Sequence, residues 1–205
     1  MTSMSYNPSI HHRRSIRLKG YNYTSSGAYF VTMCTRDRAC TLGDIVRGTV
    51  MLSNIGRIVA QSWVWLRDHH PYVDLDAWVI MPNHVHGIIV ILDNDIVSCD
   101  RRGGSRTALT TGLTTGPTTA PTTTPTTAKR KPLGRLIGAF KTVSTKRINE
   151  IRHTSGDRFW QRNYWEHIIR DESSLAQIRQ YVINNPARWV DDRLHPTQPP
   201  LPQRS

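Results

Sequence analysis

The pattern of apolar and polar positions centres on one stretch, MPNHVHGIIVIL, residues 81–92. A turn, Met81-Pro82-Asn83, leads into His84-Val85-His86, and an unbroken apolar run follows. A short run rich in Ile and Val behind turn residues predicts a buried β-strand. Successive strand side chains point to opposite faces. His84 and His86 therefore share one face, while Val85, Gly87, Ile89 and Ile91 take the other.

Upstream, residues 28–35 (AYFVTMCT) carry the β-branched and aromatic side chains of a strand, and residues 47–52 predict a second, short one. Ser53 then caps a helix whose apolar positions, Ile55, Ile58, Val59, Trp63 and Leu66, fall on one face, and Pro71 closes it. Trp63 and Trp65 are expected to pack there rather than to stack on bases. Residues 73–80 (VDLDAWVI) predict the strand before the turn, so this strand and the histidine strand should form an antiparallel hairpin. A second helix opens at Pro132 and runs to about Arg152, with Leu133, Leu136, Ile137, Phe140, Val143 and Ile151 as its apolar stripe. Gly134 and Gly138 on it are positions for a close backbone approach. Residues 159–170 (FWQRNYWEHIIR) hold a further strand and its lead-in. A last helix is capped by Asp171 or Ser173, buries Leu175, Ile178 and Val182, and stops near Asn185 because Pro186 follows.

Three segments fall outside this pattern. Residues 1–20 form a polar, basic arm containing Arg13, Arg14, Arg17 and Lys19, either a solvated tail or a strap across a phosphate backbone. Residues 94–131 interrupt the domain. Threonine makes up 12 of the 21 residues from 107 to 127, too little apolar surface to offset the entropy of ordering, so the segment is expected to be a disordered insertion. Residues 194–205 are Pro-rich and expected to be an unstructured tail. One domain, residues 21–193, remains.

Charge narrows the partner. Lysine and arginine number 27 against 15 acidic residues, a formal net charge of +12, which favours a polyanion, with DNA or RNA ahead of a membrane surface. No stretch approaches the roughly 20 apolar residues needed to span a bilayer, and the N-terminus lacks the apolar core of a signal peptide. Cys34, Cys40 and Cys99 are odd in number and lack CxxC spacing, which argues against a disulfide framework or a zinc knuckle. A cytoplasmic protein without a membrane partner is expected.

His84 and His86 either line a solvent-facing row or begin a metal site aimed at phosphate. Tyr181 and Asn185, four apart, share a face of the last helix. Tyr181 is either a half-buried packing residue or, if that face meets the histidine strand, a nucleophile next to an ion held by His84, His86 and the Asn185 amide oxygen. Tyr164 is the rival nucleophile, and His167 reads as structural or as an outer partner of the site.

Three stretches carry a family resemblance: RRSIRLKGYNYTSSGAYFVTMCTRDR, then MPNHVHGIIVI, then FWQRNYWEHIIRDESSLAQIRQYVINNPARW. Together they resemble the REP-associated tyrosine transposases, which are single-tyrosine HUH transposases. The resemblance covers most of residues 13–92 and 132–193. It implies an α+β, ferredoxin-like antiparallel sheet with helices packed on one face. It puts the metal ligands on His84, His86 and Asn185, the nucleophile on Tyr181, and Mg²⁺ or Mn²⁺ in the site. The implied activity is metal-dependent nicking and rejoining of single-stranded or hairpin DNA through a 5′-phosphotyrosine, with a homodimer as the working unit. Lys141, Lys146 and Arg147 join the arm residues as expected DNA contacts. The alternatives are a nickase of the replication-initiator or relaxase kind, although no GxxxxGK[ST] loop is present, and a hairpin-binding protein that has lost catalysis.

Overall fold

A computed structural model describes residue 18, residues 20–93 and residues 130–197. Arg13, Arg14, Arg17 and Lys19, most of the Thr-rich insertion, Cys99 and the end of the tail lie outside the described residues.

The chain runs β1 (Gly27–Cys34), β2 (Gly43–Val46), β3 (Thr49–Leu52), α1 (Asn54–His69), β4 (Val73–Met81), β5 (His84–Ile91), α2 (Leu133–Arg152), β6 (Trp165–Ile169) and α3 (Glu172–Asn184). Strands order β4-β5-β1-β6 in an antiparallel sheet, and β2 and β3 form a separate hairpin. The α+β, ferredoxin-like expectation holds.

Local chemistry sets the element ends. The Ser53 hydroxyl accepts from the Gly56 amide at 3.0 Å and starts α1, and the Asp171 carboxylate accepts from the Ser174 amide at 2.7 Å and starts α3. Only Pro82 and Asn83 separate β4 from β5, whose end residues Met81 and His84 pair, as the hairpin expectation required. Arg47, expected inside a strand, sits instead in the β2–β3 turn. Its φ is 51° and that of Gly48 is 75°, a pair of left-handed residues that turns a tight hairpin. β2 itself was not legible because Ile45 and Val46 are its only apolar residues.

Both sheet faces are covered, which explains why β5 reads as an apolar run rather than an alternation. One face, with Tyr29, Val31, Met33, Val85 and Ile89, packs under α1 and α2 through Trp63, Leu66, Leu136, Ile137 and Phe140. Trp63 is fully buried and meets Phe140 edge-on at 5.3 Å. A Cβ at Gly87 would run into the Trp63 indole, so glycine there makes room for the tryptophan. Burying a ring of that size contributes on the order of 5 kcal/mol of transfer free energy before entropy is counted.

The opposite face holds Phe30, Ile88 and Ile169 under Val182, with Leu175 and Ile178 beside them. Here α3 lies alone, which corrects one detail of the expectation. Two helices cover one face, and the third covers the other, the face on which the histidines stand. Two positions of α2 also differ from expectation. Ile151 is 58% exposed, its place taken by Ile148 and Ser144, and Gly138 faces open space rather than a close neighbour.

The inferred segment ends shift as well. Arg130 pairs with Asp93 at 2.9 Å and the Lys131 amide donates to the Tyr72 hydroxyl at 3.0 Å, so the fold resumes before the expected end of the insertion. Leu194 and His195, assigned to the tail, belong to the folded domain: the Leu194 carbonyl accepts from Asn83, and the His195 ring lies 4.7 Å from that of Trp189.

Candidate metal and nucleophile site

β5 is a central strand, so His84 and His86 stand between neighbours on both sides. His84 pairs with Cys34 and Met81, and His86 with Thr32 and Val79. Both imidazoles are buried, at 0% and 3% exposure, so they do not line a solvent-facing row. The rings touch, with centroids 4.4 Å apart.

Each imidazole is oriented by a hydrogen bond at its Nδ1. The Asn83 side-chain amide donates to the Arg38 carbonyl at 3.2 Å and the Leu194 carbonyl at 2.7 Å. Both of its hydrogens are thereby engaged, so its oxygen, 2.8 Å from His84 Nδ1, must accept. His84 therefore carries its proton on Nδ1 and presents a bare Nε2 lone pair, which is the tautomer a ligand needs. The Thr32 hydroxyl lies 2.8 Å from His86 Nδ1 and holds that ring in place.

Burial, with the Arg38 charge adding to it, pushes His84 down to about 3. Burial and then the adjoining His84 lower His86 far below its ordinary range, against the pull of Asp192. Both rings stay neutral, and so able to coordinate, throughout physiological pH.

The chain after α3 brings in the rest. Pro186 begins a 3₁₀ turn, Pro186–Asp191, that ends by folding Asp192 under the histidines. Asp192 Oδ2 lies 4.0 Å from His84 Nε2 and accepts from Asn185 Nδ2 at 3.1 Å, while Oδ1 accepts from the Leu194 amide at 2.6 Å. Ligand atoms of His84, His86 and Asp192 lie within 4.8 Å of one another, close enough to share one ion. Two buried atoms of this cluster, His84 Nε2 and Asn185 Oδ1, have no hydrogen-bond partner among the described residues. Orphaned acceptors in a buried, partly anionic cluster are costly unless a cation takes them. Two nitrogens, a carboxylate and an amide oxygen make a donor set that fits a divalent metal.

Tyr181 stands where the helical spacing put it. Its hydroxyl lies 3.3 Å from His86 Nε2 and its ring centroid 5.2 Å from that of His86, with 47% of the residue exposed. Burial, followed by the Asp192 charge, raises the phenol, with the Asn185 side chain and Arg193 acting the other way. An open cleft of about 1030 Å³ leads to it, lined by Gln177, Gln180, Asn184, Arg188 and Arg193.

His84, His86, Tyr181 and Asn185 are thus brought together. Tyr164 packs against the α1/α2 side of the sheet instead. His167, on the edge strand, stacks against Trp165. Of the basic candidates, Lys141 donates to the carbonyls of Gln161 at 2.8 Å and Asn163 at 2.9 Å, and Arg147 to the Ser62 hydroxyl at 3.3 Å. Lys146 is exposed on the wall of a second cleft beside α2. Asp192 was missed by sequence reasoning, as were the orienting roles of Asn83 and Thr32. A carboxylate beyond a proline turn has no fixed spacing to a strand over a hundred residues earlier.

A ferredoxin-like sheet with a His-Val-His pair on a central strand, facing a tyrosine on an adjoining helix, defines the class of site. No protein-family model matches the chain. A Haemophilus influenzae protein of uncharacterized function is 39% identical over 193 residues, 93% of this chain and 97% of that protein. The chain belongs to the same family as that protein. A second Haemophilus influenzae protein, provisionally assigned as a REP-associated tyrosine transposase, is 23% identical over 82% of this chain and 74% of its own length. The solved structure of a REP-associated tyrosine transposase bound to a REP hairpin superposes with a TM-score of 0.54 and 17% identity, over 85% of this chain and 74% of that one. The fold is that of the REP-associated tyrosine transposases, and the resemblance seen in the motifs is borne out. No helix among the described residues is long and apolar enough to cross a membrane.

Proposed function

We propose that this protein is a metal-dependent transposase-like endonuclease that nicks and rejoins single-stranded or hairpin DNA through Tyr181. The observation that carries this reading is the Tyr181 hydroxyl 3.3 Å from His86 Nε2, at the edge of a buried His84–His86–Asp192 cluster. A packing tyrosine has no need of such a neighbour. The solved neighbour's bound REP hairpin and the +12 charge support DNA as the substrate.

His84, His86, Asp192 and Asn185 would hold the ion, and Mg²⁺ or Mn²⁺ is the expected species. Such an ion would withdraw charge from a phosphate oxygen and would offset the Asp192 charge that raises the phenol. The chain's own groups do the rest. Asn83 and Thr32 fix the two imidazoles, and α3 presents Tyr181 at the mouth of the cleft. After losing its proton to water, the Tyr181 oxygen attacks phosphorus. The bond to the 3′ oxygen breaks, and that oxygen leaves as a hydroxyl by taking up a proton. The 5′ phosphate stays on the tyrosine, so its bond energy is kept and the reverse attack by a 3′ hydroxyl rejoins a strand without ATP.

Incubating the protein with labelled hairpin DNA and Mn²⁺ should give a protein–DNA band that survives denaturation. Tyr181→Phe should abolish it and leave hairpin binding within a few fold. An undiminished band from the Phe variant would overturn the assignment of the nucleophile.

A further inference from the structure

Trp165 opens β6, the edge strand, and is 49% exposed, whereas Trp63, Trp160 and Trp189 are all at 9% or less. Its cross-strand partner is Thr32, which is also the partner of His86 on the other side. Paired residues point to the same face, so indole, threonine and imidazole form one row across three strands. Phe30, on the same face, joins them: its ring lies 5.4 Å from His86, 5.6 Å from Trp165 and 5.9 Å from Tyr181. The indole and the phenol thus flank one phenylalanine, a span of no more than a few nucleotides.

The indole is also held in plane. His167, two residues on and on the same face, lies parallel to it at 5° with centroids 6.1 Å apart, and Phe30 meets it edge-on. It is a large, flat, supported aromatic surface, open to solvent at the end of the row that contains the candidate ligand His86. Leaving that much aromatic surface in water costs free energy unless something covers it. A protein with +12 net charge is suited to an anionic chain bearing flat bases, and the cleft at Tyr181 offers two arginines, Arg188 and Arg193, beside Asp191 and Asp192. Every base has a π-face, so such a platform serves any unpaired nucleotide.

We propose that Trp165 is a stacking platform for an unpaired base of the DNA strand that enters the Tyr181 site. This inference rests on the reading of the site as a DNA-strand site. It adds a requirement that the reading alone does not make: a nucleotide near the scissile phosphate must be unstacked and single-stranded. A base within a duplex cannot reach the indole plane.

The test measures binding apart from chemistry. In the Tyr181→Phe background with EDTA present, a fluorescein-labelled single-stranded oligonucleotide of mixed sequence is titrated and followed by anisotropy. Trp165→Phe should bind within about threefold of its parent, and Trp165→Ala should bind about tenfold or more weakly. Trp165→Leu, which keeps apolar bulk without a ring, should be as weak as the alanine variant. The annealed duplex of the same sequence should not distinguish the variants. Equal binding by Trp165→Ala, or recovery by Trp165→Leu, would overturn the proposal. So would a parent dimer that Trp165→Ala splits in sedimentation without losing oligonucleotide affinity, since the surface would then cover a second copy of the chain. With Tyr181 intact, the covalent adduct is a separate readout. If no adduct forms while the Trp165→Ala binding deficit remains, the nucleophile reading fails and the stacking site stands.

Discussion

Arg179 grips Asp76 with two nitrogens: Nε lies 2.9 and 3.1 Å from the carboxylate oxygens and Nη2 lies 2.6 Å from Oδ2. Asp76 sits where β4 carries one residue more than β5, a bulge between Leu75 and Trp78 that turns its side chain toward α3. Arg179 is two residues before Tyr181. Only Val182 of α3 is fully buried, so this pair fixes a helix whose apolar anchorage is slight. Asp76→Asn should slow adduct formation about tenfold through a misplaced phenol, with binding of single-stranded DNA little changed. A single-turnover assay beside an anisotropy titration separates the two, and an unaltered rate would free α3 from this constraint.

The same pair sets an acid limit. Arg179 hydrogen-bonded to Asp76 holds its carboxyl below the ordinary carboxylate range, with the Ala77 amide assisting against the cost of burial. A group whose folded pKa is depressed contributes stability that is present above its unfolded pKa, about 3.9, and is lost as pH falls through the lower, folded value. The melting temperature of the protein should therefore fall more steeply than that of Asp76→Asn below about pH 4. Parallel curves would show that the pair adds nothing.

Lys141 should give a slope of the same sign at the alkaline end. Burial lowers it to about 8, although its ammonium donates to two carbonyls. The unfolded chain keeps that proton to about pH 10.4, so between roughly pH 8 and 10 the unfolded state binds more protons and folding stability rises with pH. Lys141→Met should remove this rise, as read by urea unfolding at several pH values.

Asp192 is the residue on which the metal reading now depends. Asp192→Asn should weaken Mn²⁺ binding at least tenfold by calorimetry, and His84→Ala or His86→Ala should abolish it. Because both imidazoles are buried, either alanine variant should also lose about 1–3 kcal/mol, leaving Asn83 or Thr32 without its partner. Mn²⁺ binding that survives in the double histidine variant would remove the metal from the site.

The part of the site that was legible in the sequence is the part governed by a regular period. Strand alternation put His84 and His86 on one face, and the four-residue helical spacing put Tyr181 beside Asn185. Apolar periodicity likewise located α1, α2 and α3. It could not show that α3 crosses to the face opposite α1 and α2, since face choice depends on chain reversal in the loops. Nor could it show that Asn83, read as a turn residue, fixes the tautomer of His84. Asp192 was hidden for the same reason: the 3₁₀ turn after Pro186, not a repeat, carries it back under β5.

Deleting residues 107–127 should leave stability nearly unchanged. The described chain stops at Asp93 and resumes at Arg130, and those two residues are joined at 2.9 Å, so the ends of the segment already meet. Closing a shorter loop between fixed ends costs no more entropy, and threonine and proline supply no core. A fall in melting temperature above about 5 °C, on the order of 1 kcal/mol or more, would show that the segment packs.

Salt and stoichiometry test the reaction as a whole. Each phosphate neutralised on a single strand should steepen the fall of log K with log salt by about 0.7. With a net charge of +12, several such contacts are expected. A steep slope alone does not separate a transposase from a hairpin binder, since both must neutralise phosphates. Covalent stoichiometry does. With Tyr181 as the proposed nucleophile, each chain would give one covalent end, and moving a DNA element requires cutting at both of its ends. Strand transfer should therefore rise with protein concentration as a homodimer forms, while nicking at a single end should be complete with a monomer. Light scattering on the DNA complex beside a strand-transfer assay reads both quantities. A complex that stays monomeric and still completes both cleavages would break the link between one tyrosine and one end.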